Sequence, residues 1–281
     1  MTTSPLLITP VELAELAASG APVRILDVRW RLDKPDGRAD YEAGHIPGAV
    51  YVDLDSELAS HGEPTDGRHP LPGRDAFHAA ARRWGINTGD TVVIYDNLKN
   101  FSAARAWWLL ANAGFPSIRL LDGSLRAWTE AGFDLNTGNE VPRPGTVTLD
   151  WNRLPSLDLD GAAGFPATGA LLDSRAPERY RGETEPMDPK AGHIPGALNA
   201  PSTANVDTEG RFLSPAILRE QFLALGVTED APVAAYCGSG VMAAHNAFAL
   251  TLAGFAPVIY PGSWSQWSNH PDRPVATGAN P

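Results

Sequence analysis

Short apolar runs alternate with helical stretches along the chain. Runs of β-branched and apolar residues predict strands at 23–28, 91–95 and 117–121, and periodic stretches predict helices at 10–19, 74–84 and 102–113. In the second half, the apolar run 232–236 predicts a buried strand, and the Ala-rich stretch 241–252 predicts a helix directly after it. This alternation is typical of an α/β fold with parallel sheets.

The same series of short motifs occurs twice, in the same order. The paired motifs are Leu26–Arg29 with Leu172–Arg175, Gly44–Ala49 with Gly192–Ala197, Val92–Asp96 with Val233–Cys237, and Leu121–Trp128 with Tyr260–Trp267. Such a repeat indicates two copies of one domain. We place the copies at 1–141 and 166–281, and the stretch 142–165, rich in Pro, Gly and Asp, is predicted to be the linker.

Composition narrows the function classes. The chain has 281 residues, a formal net charge of -11 and one cysteine. The acidic balance argues against nucleic acid or an anionic membrane as the main partner, and a single cysteine excludes internal disulfides. No apolar run approaches the roughly 18 residues of a membrane span, and residues 1–8 lack the features of a signal peptide. We therefore expect a cytoplasmic enzyme.

The lone cysteine, Cys237, lies between the predicted strand and the predicted helix, within the sequence Cys-Gly-Ser-Gly. Gly238 and Gly240 free the backbone to turn its N–H groups inward, and the helix start adds its positive dipole end. This arrangement favours an anion, here a thiolate or a persulfide. The alternative is a buried structural cysteine, which the glycine loop makes less favourable.

The first copy has Asp96 at the position of the cysteine. A carboxylate cannot perform thiol chemistry, and the following residues 97–101 contain no glycine. We therefore expect the first copy to be non-catalytic and to lack an inward-pointing N–H loop.

Other conspicuous residues have structural interpretations. His45 in the first copy matches His193 in the second, which favours a structural role in a turn. The pairs Asp27 with Arg29 and Asp173 with Arg175 also recur, and they predict internal salt bridges. The histidines lack the spacing of a zinc site. Trp107, Trp108, Trp128, Trp264 and Trp267 are predicted to fill cores, with Trp264 or Trp267 as candidates to line a crevice.

Taken together, the paired Gly-His-Ile-Pro-Gly-Ala motifs, Asp-x-Arg after the first strand and the Cys237 loop resemble the two-domain rhodanese-type sulfurtransferases. The resemblance implies a parallel sheet of about five strands flanked by helices in each domain. It also implies that Cys237 carries sulfur as a persulfide, without metal or organic cofactor. The partners implied are a small anionic sulfur donor and a thiophilic acceptor, namely cyanide, a thiol or a thioredoxin-like protein.

Site residues follow from the resemblance. The catalytic positions match Cys237, Ser239, His69 and Asp55, of which His69 and Asp55 are contributed by the first copy. The substrate-binding positions match Arg179, Gly238, Gly240, Val241 and Met242.

Within the family, the resemblance favours 3-mercaptopyruvate over thiosulfate as the sulfur donor. The Cys-Gly-Ser-Gly-Val loop is similar to that of 3-mercaptopyruvate sulfurtransferases, whereas Met187 stands where these enzymes often have a second arginine. Arg181 and Lys190 are the candidates to replace that arginine. Thiosulfate is the alternative donor.

Two other classes of function need comparison. A cysteine phosphatase of the same fold needs an arginine six positions after its cysteine, where this chain has Ala243. A sulfur-relay protein that passes a persulfide to a protein partner remains an alternative to small-molecule transfer.

Overall fold

The computed structural model describes residues 5–281, so the first four residues of the N-terminal stretch lie outside the described residues. The chain forms two compact units. The first comprises the chain up to Ser60 together with Pro72–Arg153 and Asp207–Phe212, and the second comprises His61–Leu71, Leu154–Val206 and Leu213–Pro281. Each unit therefore includes a short segment that lies, in sequence, within the other.

Within the described residues, the first unit contains a five-stranded parallel sheet with the strand order β1-β5-β4-β2-β3. Its strands are β1 (Leu7–Ile8), β2 (Val23–Asp27), β3 (Ala49–Tyr51), β4 (Thr91–Tyr95) and β5 (Ile118–Leu121). Its helices are α1 (Pro10–Ala18), α2 (Arg38–Ala43), α3 (Leu54–Glu57), α4 (Arg74–Arg83), α5 (Ala103–Asn112) and α6 (Ser124–Glu130). The central strand β4 buries four of its five side chains and β2 buries its last three, as expected for a parallel sheet covered on both faces.

The second unit repeats this plan with a smaller sheet. Its strands are β6 (Ala170–Asp173), β7 (Leu198–Asn199), β8 (Val233–Tyr236) and β9 (Pro257–Ile259). Its helices are α7 (Leu159–Gly164), α8 (Pro177–Tyr180), α9 (Pro215–Ala224), α10 (Val241–Leu252) and α11 (Ser263–Ser268). The strand order β7-β6-β8-β9 is the order of the first sheet read from β3 to β5.

The second sheet has four strands in the described part of the chain, fewer than the five expected. At the edge where β1 pairs with β5 in the first unit, the second unit has only an isolated parallel bridge between Ser156 and Ile259. Leu157 N–H donates to the Ile259 carbonyl at 2.8 Å. Because Pro155 has no N–H to donate, pairing does not extend towards the N-terminus of this segment.

Polar core contacts recur in both units. The Tyr95 hydroxyl accepts from Ile46 N–H, and the Tyr236 hydroxyl accepts from Ile194 N–H, each at 3.1 Å. His45 and His193 are fully buried, and their Nδ1 atoms lie 2.9 Å and 2.8 Å from the carbonyl oxygens of Tyr41 and Tyr180. These histidines stack on the same tyrosines and hold a turn, as predicted.

The predicted salt bridges are present. Arg29 pairs with Asp27 at 2.8 Å, and Arg175 pairs with Asp173 at 2.6 Å, with all four side chains at most 5% exposed. Each arginine also donates to a backbone carbonyl of the Gly-His-Ile-Pro-Gly motif that follows. The pairs thus tie the end of a central strand to the repeated turn.

The predicted linker is only partly irregular. Its last third contains α7, which begins after Asp158, whose side chain accepts from Gly161 N–H at 2.7 Å. The helix buries Ala162 in the core of the second unit. A side-chain cap, rather than apolar periodicity, specifies this short helix. Among residues 5–281, no helix is long and apolar enough to cross a membrane.

Candidate active site

The sole cysteine lies at the carboxyl end of β8, one loop before α10 begins at Val241. Its side chain is free and buried, with an exposed fraction of 2%. Cys237 N–H donates to Ser263 Oγ at 3.1 Å, and its carbonyl accepts from Trp264 N–H at 2.9 Å. The cysteine loop, residues 237–241, is therefore fixed to the first turn of α11.

Ser263 reaches the loop from a strained backbone. Its φ of +55° lies in the left-handed region, and its Oγ donates to the Tyr260 carbonyl at 2.9 Å. Ser263 was not predicted as a site residue, although the repeat aligns it with Ser124, whose φ is +59°. A serine shared by the two copies was the signal that could have identified it.

The sulfur receives a backbone hydrogen bond from its own loop. Gly240 N–H lies 3.1 Å from Cys237 Sγ, and Gly240 has a φ of +83°, which glycine adopts without steric cost. The N-terminus of α10 follows immediately, so its dipole adds positive potential near the sulfur. The loop is thus suited to an anionic sulfur.

The predicted pair Ser239 and His69 is brought together. Ser239 Oγ lies 2.7 Å from His69 Nδ1, and both residues are at most 9% exposed. Next to them, Arg68 N–H donates to Ser265 Oγ at 2.9 Å, and Ser265 N–H donates to the Gly238 carbonyl at 2.8 Å. The segment carrying Arg68 and His69 is therefore connected to both Gly238 and Ser239.

The origin of His69 differs from the expectation. Residues 61–71, called segment 61–71 below, precede the linker in sequence but belong to the same compact unit as Cys237. Asp55, by contrast, lies in α3 of the first unit, where its Oδ1 accepts from Trp30 Nε1 at 3.0 Å. A catalytic role for Asp55 beside His69 stays a prediction.

Arg179 reaches the cysteine loop from α8. A Cβ atom added to Gly238 would lie 3.5 Å from Arg179 Nη1, so the guanidinium passes close to the loop backbone. Its Nη2 donates to Glu185 at 2.6 Å and to Asp188 at 3.3 Å. The Arg179 side chain is 20% exposed, and its guanidinium is engaged by these two acids.

A larger group of charges surrounds Arg179. This arginine–carboxylate cluster consists of Arg68, Arg175, Arg179, Glu185 and Asp188. Glu185 also accepts from Arg175 Nη1 at 3.3 Å, and Arg68 Nη2 donates to Asp188 at 2.7 Å. Burial raises the pKa of Asp188, and the charge of Glu185 adds to that rise, while Arg68 and Arg179 oppose it. Arg68, Glu185 and Asp188 were not predicted as members of a site.

The two candidates for a second donor arginine have other partners. Lys190 Nζ donates to the backbone carbonyls of His270, Pro271 and Arg273 at 2.8, 3.2 and 3.0 Å, which uses all three of its N–H groups. Arg181 pairs with Glu183 on the surface at 2.7 Å. Within residues 5–281, neither side chain donates a hydrogen bond to the cysteine loop.

The remaining predicted substrate-binding residues lie at the start of α10. Val241 is 3% exposed, and Met242 is half-buried, with its carbonyl accepting from Ser202 Oγ at 3.1 Å. Trp264 and Trp267 are at most 1% exposed and belong to the core cluster of the second unit, so the suggestion that they line an open crevice is wrong.

The loop after β4 differs from the expectation that the first copy lacks an inward-pointing N–H loop. Although it lacks glycine, it curls around the Asp96 carboxylate, because Lys99 and Asn100 adopt φ values of +61° and +63°. The carboxylate, fully buried, accepts from the backbone N–H groups of Leu98, Asn100, Ser102 and Ala103 and from the hydroxyls of Ser102 and Ser124. The first copy therefore does have an inward-pointing N–H loop, and its own aspartate fills it.

Comparison with known proteins gives matches along most of the chain. The family described as "Rhodanese-like domain" matches residues 9–131 and 159–270. The chain is 46% identical to "Putative thiosulfate sulfurtransferase SseB" of Mycobacterium tuberculosis, over 97% of either protein. It is also 46% identical to "Probable 3-mercaptopyruvate sulfurtransferase" of Pseudomonas aeruginosa, over 97% of this chain and 98% of that protein.

A solved structure shows the same architecture. The crystal structure of SseA from Escherichia coli, described as a 3-mercaptopyruvate sulfotransferase with the rhodanese fold, superposes with a TM-score of 0.82 at 31% identity. The match covers 93% of this chain and 99% of SseA.

Proposed function

The chain belongs to the family of two-domain rhodanese-type sulfurtransferases, and we propose from that premise that Cys237 accepts a sulfane sulfur and passes it on. The donor is 3-mercaptopyruvate in preference to thiosulfate. The acceptor is a thiophile: cyanide, a small thiol or a thioredoxin-like protein. The second domain is the catalytic one, and the first, with Asp96 at the cysteine position, is non-catalytic.

The first half-reaction forms the persulfide. The Cys237 thiolate attacks the sulfur of mercaptopyruvate, so that an S–S bond forms while the C–S bond breaks. The electron pair of the broken bond passes into the carbonyl system and gives the enolate of pyruvate, which takes up a proton. The N–H group of Gly240, 3.1 Å from Sγ, supports the anionic sulfur before and after transfer.

The second half-reaction regenerates the thiolate. The acceptor attacks the outer sulfur of the persulfide, the S–S bond breaks, and its electron pair returns to Cys237. With cyanide the product is thiocyanate. Atoms and electrons balance in the two half-reactions without a metal or an organic cofactor.

The hydrogen bond of 2.7 Å between Ser239 and His69 carries the choice of mercaptopyruvate. An enolate needs a proton donor as it forms, and a hydroxyl bonded to an imidazole can supply one and be reprotonated. Thiosulfate leaves as sulfite, with no carbon to protonate. Ser239, two residues after Cys237 in the loop, and its partner His69 therefore suit the keto acid.

Thiosulfate is the second candidate donor. The match to the M. tuberculosis SseB protein, named a putative thiosulfate sulfurtransferase, favours it as much as the equal match to the P. aeruginosa protein favours mercaptopyruvate. Sequence identity alone does not decide between them.

The test compares the parent with Cys237→Ser and Ser239→Ala, with both donors and cyanide as acceptor. Intact mass should show one added sulfur on the parent and none on Cys237→Ser. Ser239→Ala should lower kcat/KM for mercaptopyruvate by about ten- to a hundredfold, because the proton donor is lost. The decrease in kcat/KM for thiosulfate should be much smaller. Ser214→Ala, which removes the helix cap of α9, is the control that alters stability alone.

Two outcomes would contradict the proposal. Sulfur transfer by Cys237→Ser would exclude the persulfide route. A parent that turns over thiosulfate faster, with equal losses for both donors in Ser239→Ala, would make the protein a thiosulfate-preferring rhodanese.

A further inference from the structure

The charges next to the cysteine loop are nearly balanced before any donor arrives. Arg175 is committed to Asp173 and Glu185, and Arg179 to Glu185 and Asp188. A donor that is itself an anion therefore meets guanidinium groups already paired with carboxylates. Binding requires that one of these carboxylates give way or that a further cation take part.

Glu185 is firmly anchored. Its carboxylate accepts from Arg175 and Arg179, and also from the backbone N–H groups of Met187 and Asp188 at 3.1 and 3.2 Å. It is 3% exposed. Removing it from Arg179 would break several hydrogen bonds in a buried place, which makes it a poor candidate for exchange.

Asp188 is held differently. In the described residues, its carboxylate accepts hydrogen bonds from two side chains, Arg68 at 2.7 Å and Arg179 at 3.3 Å, and from no backbone N–H. It bridges the two guanidinium groups, with one oxygen towards each. Burial raises its pKa, which means that its charged form pays a desolvation cost in this position.

The position that Asp188 fills is a carboxylate site built from two arginines. Arg179 Nη1 faces Gly238 of the cysteine loop, and Arg68 directly precedes His69, which bonds to Ser239. Arg68 is 25% exposed and lines, together with Asp188, Met187 and Ser265, a cavity of about 390 Å³. Solvent and small anions thus have access to the bridge from the side of Met187, which is 47% exposed.

We propose that Asp188 is a built-in competitor of the donor: Arg68 and Arg179 together bind the donor's anionic group, and that group displaces the Asp188 carboxylate from between them. This inference rests on the proposed function, because it assigns the donor site of the same reaction. It makes Arg68 a specificity-determining residue for anionic donors. It also explains how the site binds an anion although Met187 carries no charge and the charged groups of Lys190 and Arg181 have other partners.

The test uses the full chain, with cyanide saturating and each donor varied. Asp188→Asn keeps the size of the side chain but removes the competing charge, so KM for the donor should fall about three- to tenfold while kcat changes little. A merely structural role of Asp188 predicts the opposite change, because loss of the bridge would loosen Arg179 and raise KM. The direction of the change therefore decides.

Arg68→Gln should raise KM for the donor about tenfold, and should raise the inhibition constant of the unreactive product pyruvate by a similar factor. When Asp188→Asn is combined with Arg68→Gln, the decrease in KM that Asp188→Asn causes should become smaller, because Asp188 competes with the donor partly for Arg68. Asp33→Asn and Arg31→Gln are the matched controls. They remove the same charges from an ion pair on the surface, with side chains 70% and 48% exposed, and should leave both constants within about twofold of the parent.

The outcomes are distinguishable. If the parent transfers sulfur but Asp188→Asn leaves KM unchanged or raises it, Asp188 is not a competitor. If Asp188→Asn fails to fold, the pyruvate measurement on Arg68→Gln decides, and an unchanged inhibition constant would overturn the inference. If the parent transfers sulfur from neither donor, the proposed function falls and this inference falls with it.

Discussion

At the scale of single residues, Asp96 and Cys237 occupy matching positions in the two repeats but have different hydrogen-bond partners. Asp96 is surrounded by N–H and O–H donors and has no exposed surface. The sulfur of Cys237 receives a hydrogen bond from Gly240 N–H, and Ser239, two residues further along the loop, lies within hydrogen-bond distance of His69. One loop is filled by the carboxyl group of its own aspartate, and the other directs a backbone N–H towards its sulfur.

We expect Asp96→Asn to lower the free energy of unfolding by about 2–3 kcal/mol, because an amide NH₂ would face donors that now bond to a carboxylate oxygen. The measurement is urea unfolding followed by tryptophan fluorescence. Asp33→Asn, at a 70% exposed carboxylate, is the matched control and should change stability by less than about 0.5 kcal/mol. Equal midpoints for Asp96→Asn and the parent would exclude a stabilising role for the buried charge.

Single residues were predictable where the repeat or the resemblance singled them out. Cys237, Ser239 and His69 were selected from sequence, and the structure places Ser239 beside His69. Arg68 and Asp188 were not selected, because their ion pair joins residues 120 positions apart and neither stands in a repeated motif. Side-chain pairing over such separations depends on the folded chain and leaves no local signal.

At the scale of elements, the apolar runs predicted strands and helices within one residue at each end: β4 and α10 have the predicted bounds, and α4 and α5 are shorter by one or two residues. Buried parallel strands are apolar on both faces, so their sequence signal is strong. The helix α7 and the reduced edge of the second sheet were missed. A cap residue specifies the first, and a proline without N–H limits the second.

The start of α10 gives a prediction at this scale. Gly240→Ala forces a Cβ into a left-handed conformation and should cost about 1–2 kcal/mol of stability. It should also slow alkylation of Cys237 by iodoacetamide at neutral pH, since the N–H bonded to the sulfur moves with the backbone.

Gly254→Ala is the control for strain alone. Gly254 follows the same helix with a φ of +86°, so its substitution should lower stability by a similar amount. It should leave the alkylation rate at the parental value. Equal alkylation rates in the two variants would show that Gly240 has no influence on the sulfur.

At the scale of the whole molecule, the repeat predicted two copies, and the sheets confirm two α/β domains of the rhodanese type. The boundaries drawn along the sequence did not anticipate that segment 61–71 belongs to the second unit and residues 207–212 to the first. The carbonyl of Thr65, for instance, accepts a hydrogen bond from Gln266 Nε2 and lies 3.1 Å from His270 Nε2, both in the second unit. Such an exchange has no signal in composition, because both segments read as ordinary loops.

Replacing each exchanged segment by a Gly/Ser linker of equal length tests the assignment. Without segment 61–71, hydrogen exchange measured by mass spectrometry should accelerate in α11 and the cysteine loop, because Ser265 loses its partner Arg68 N–H. Without residues 207–212, exchange should accelerate around β5, because Asp122 loses its bond from Phe212 N–H at 2.9 Å.

Each replacement is the control for the other, since both shorten ordered structure by a surface segment. The sulfur transfer rate should fall more than tenfold only in the first variant, which lacks His69. Faster exchange in the same unit for both variants would contradict the assignment.

The placement of segment 61–71 has a consequence for the order in which the protein is made. Ribosomes deliver the N-terminus first, and domains generally fold as they emerge. The first unit lacks residues 207–212 until about two fifths of the second copy has been synthesised, and Ser239 and Ser265, the partners of His69 and Arg68, follow only after them. Segment 61–71 is therefore synthesised long before Ser239 and Ser265, and its hydrogen bonds to these two serines are complete only when α11 has left the ribosome.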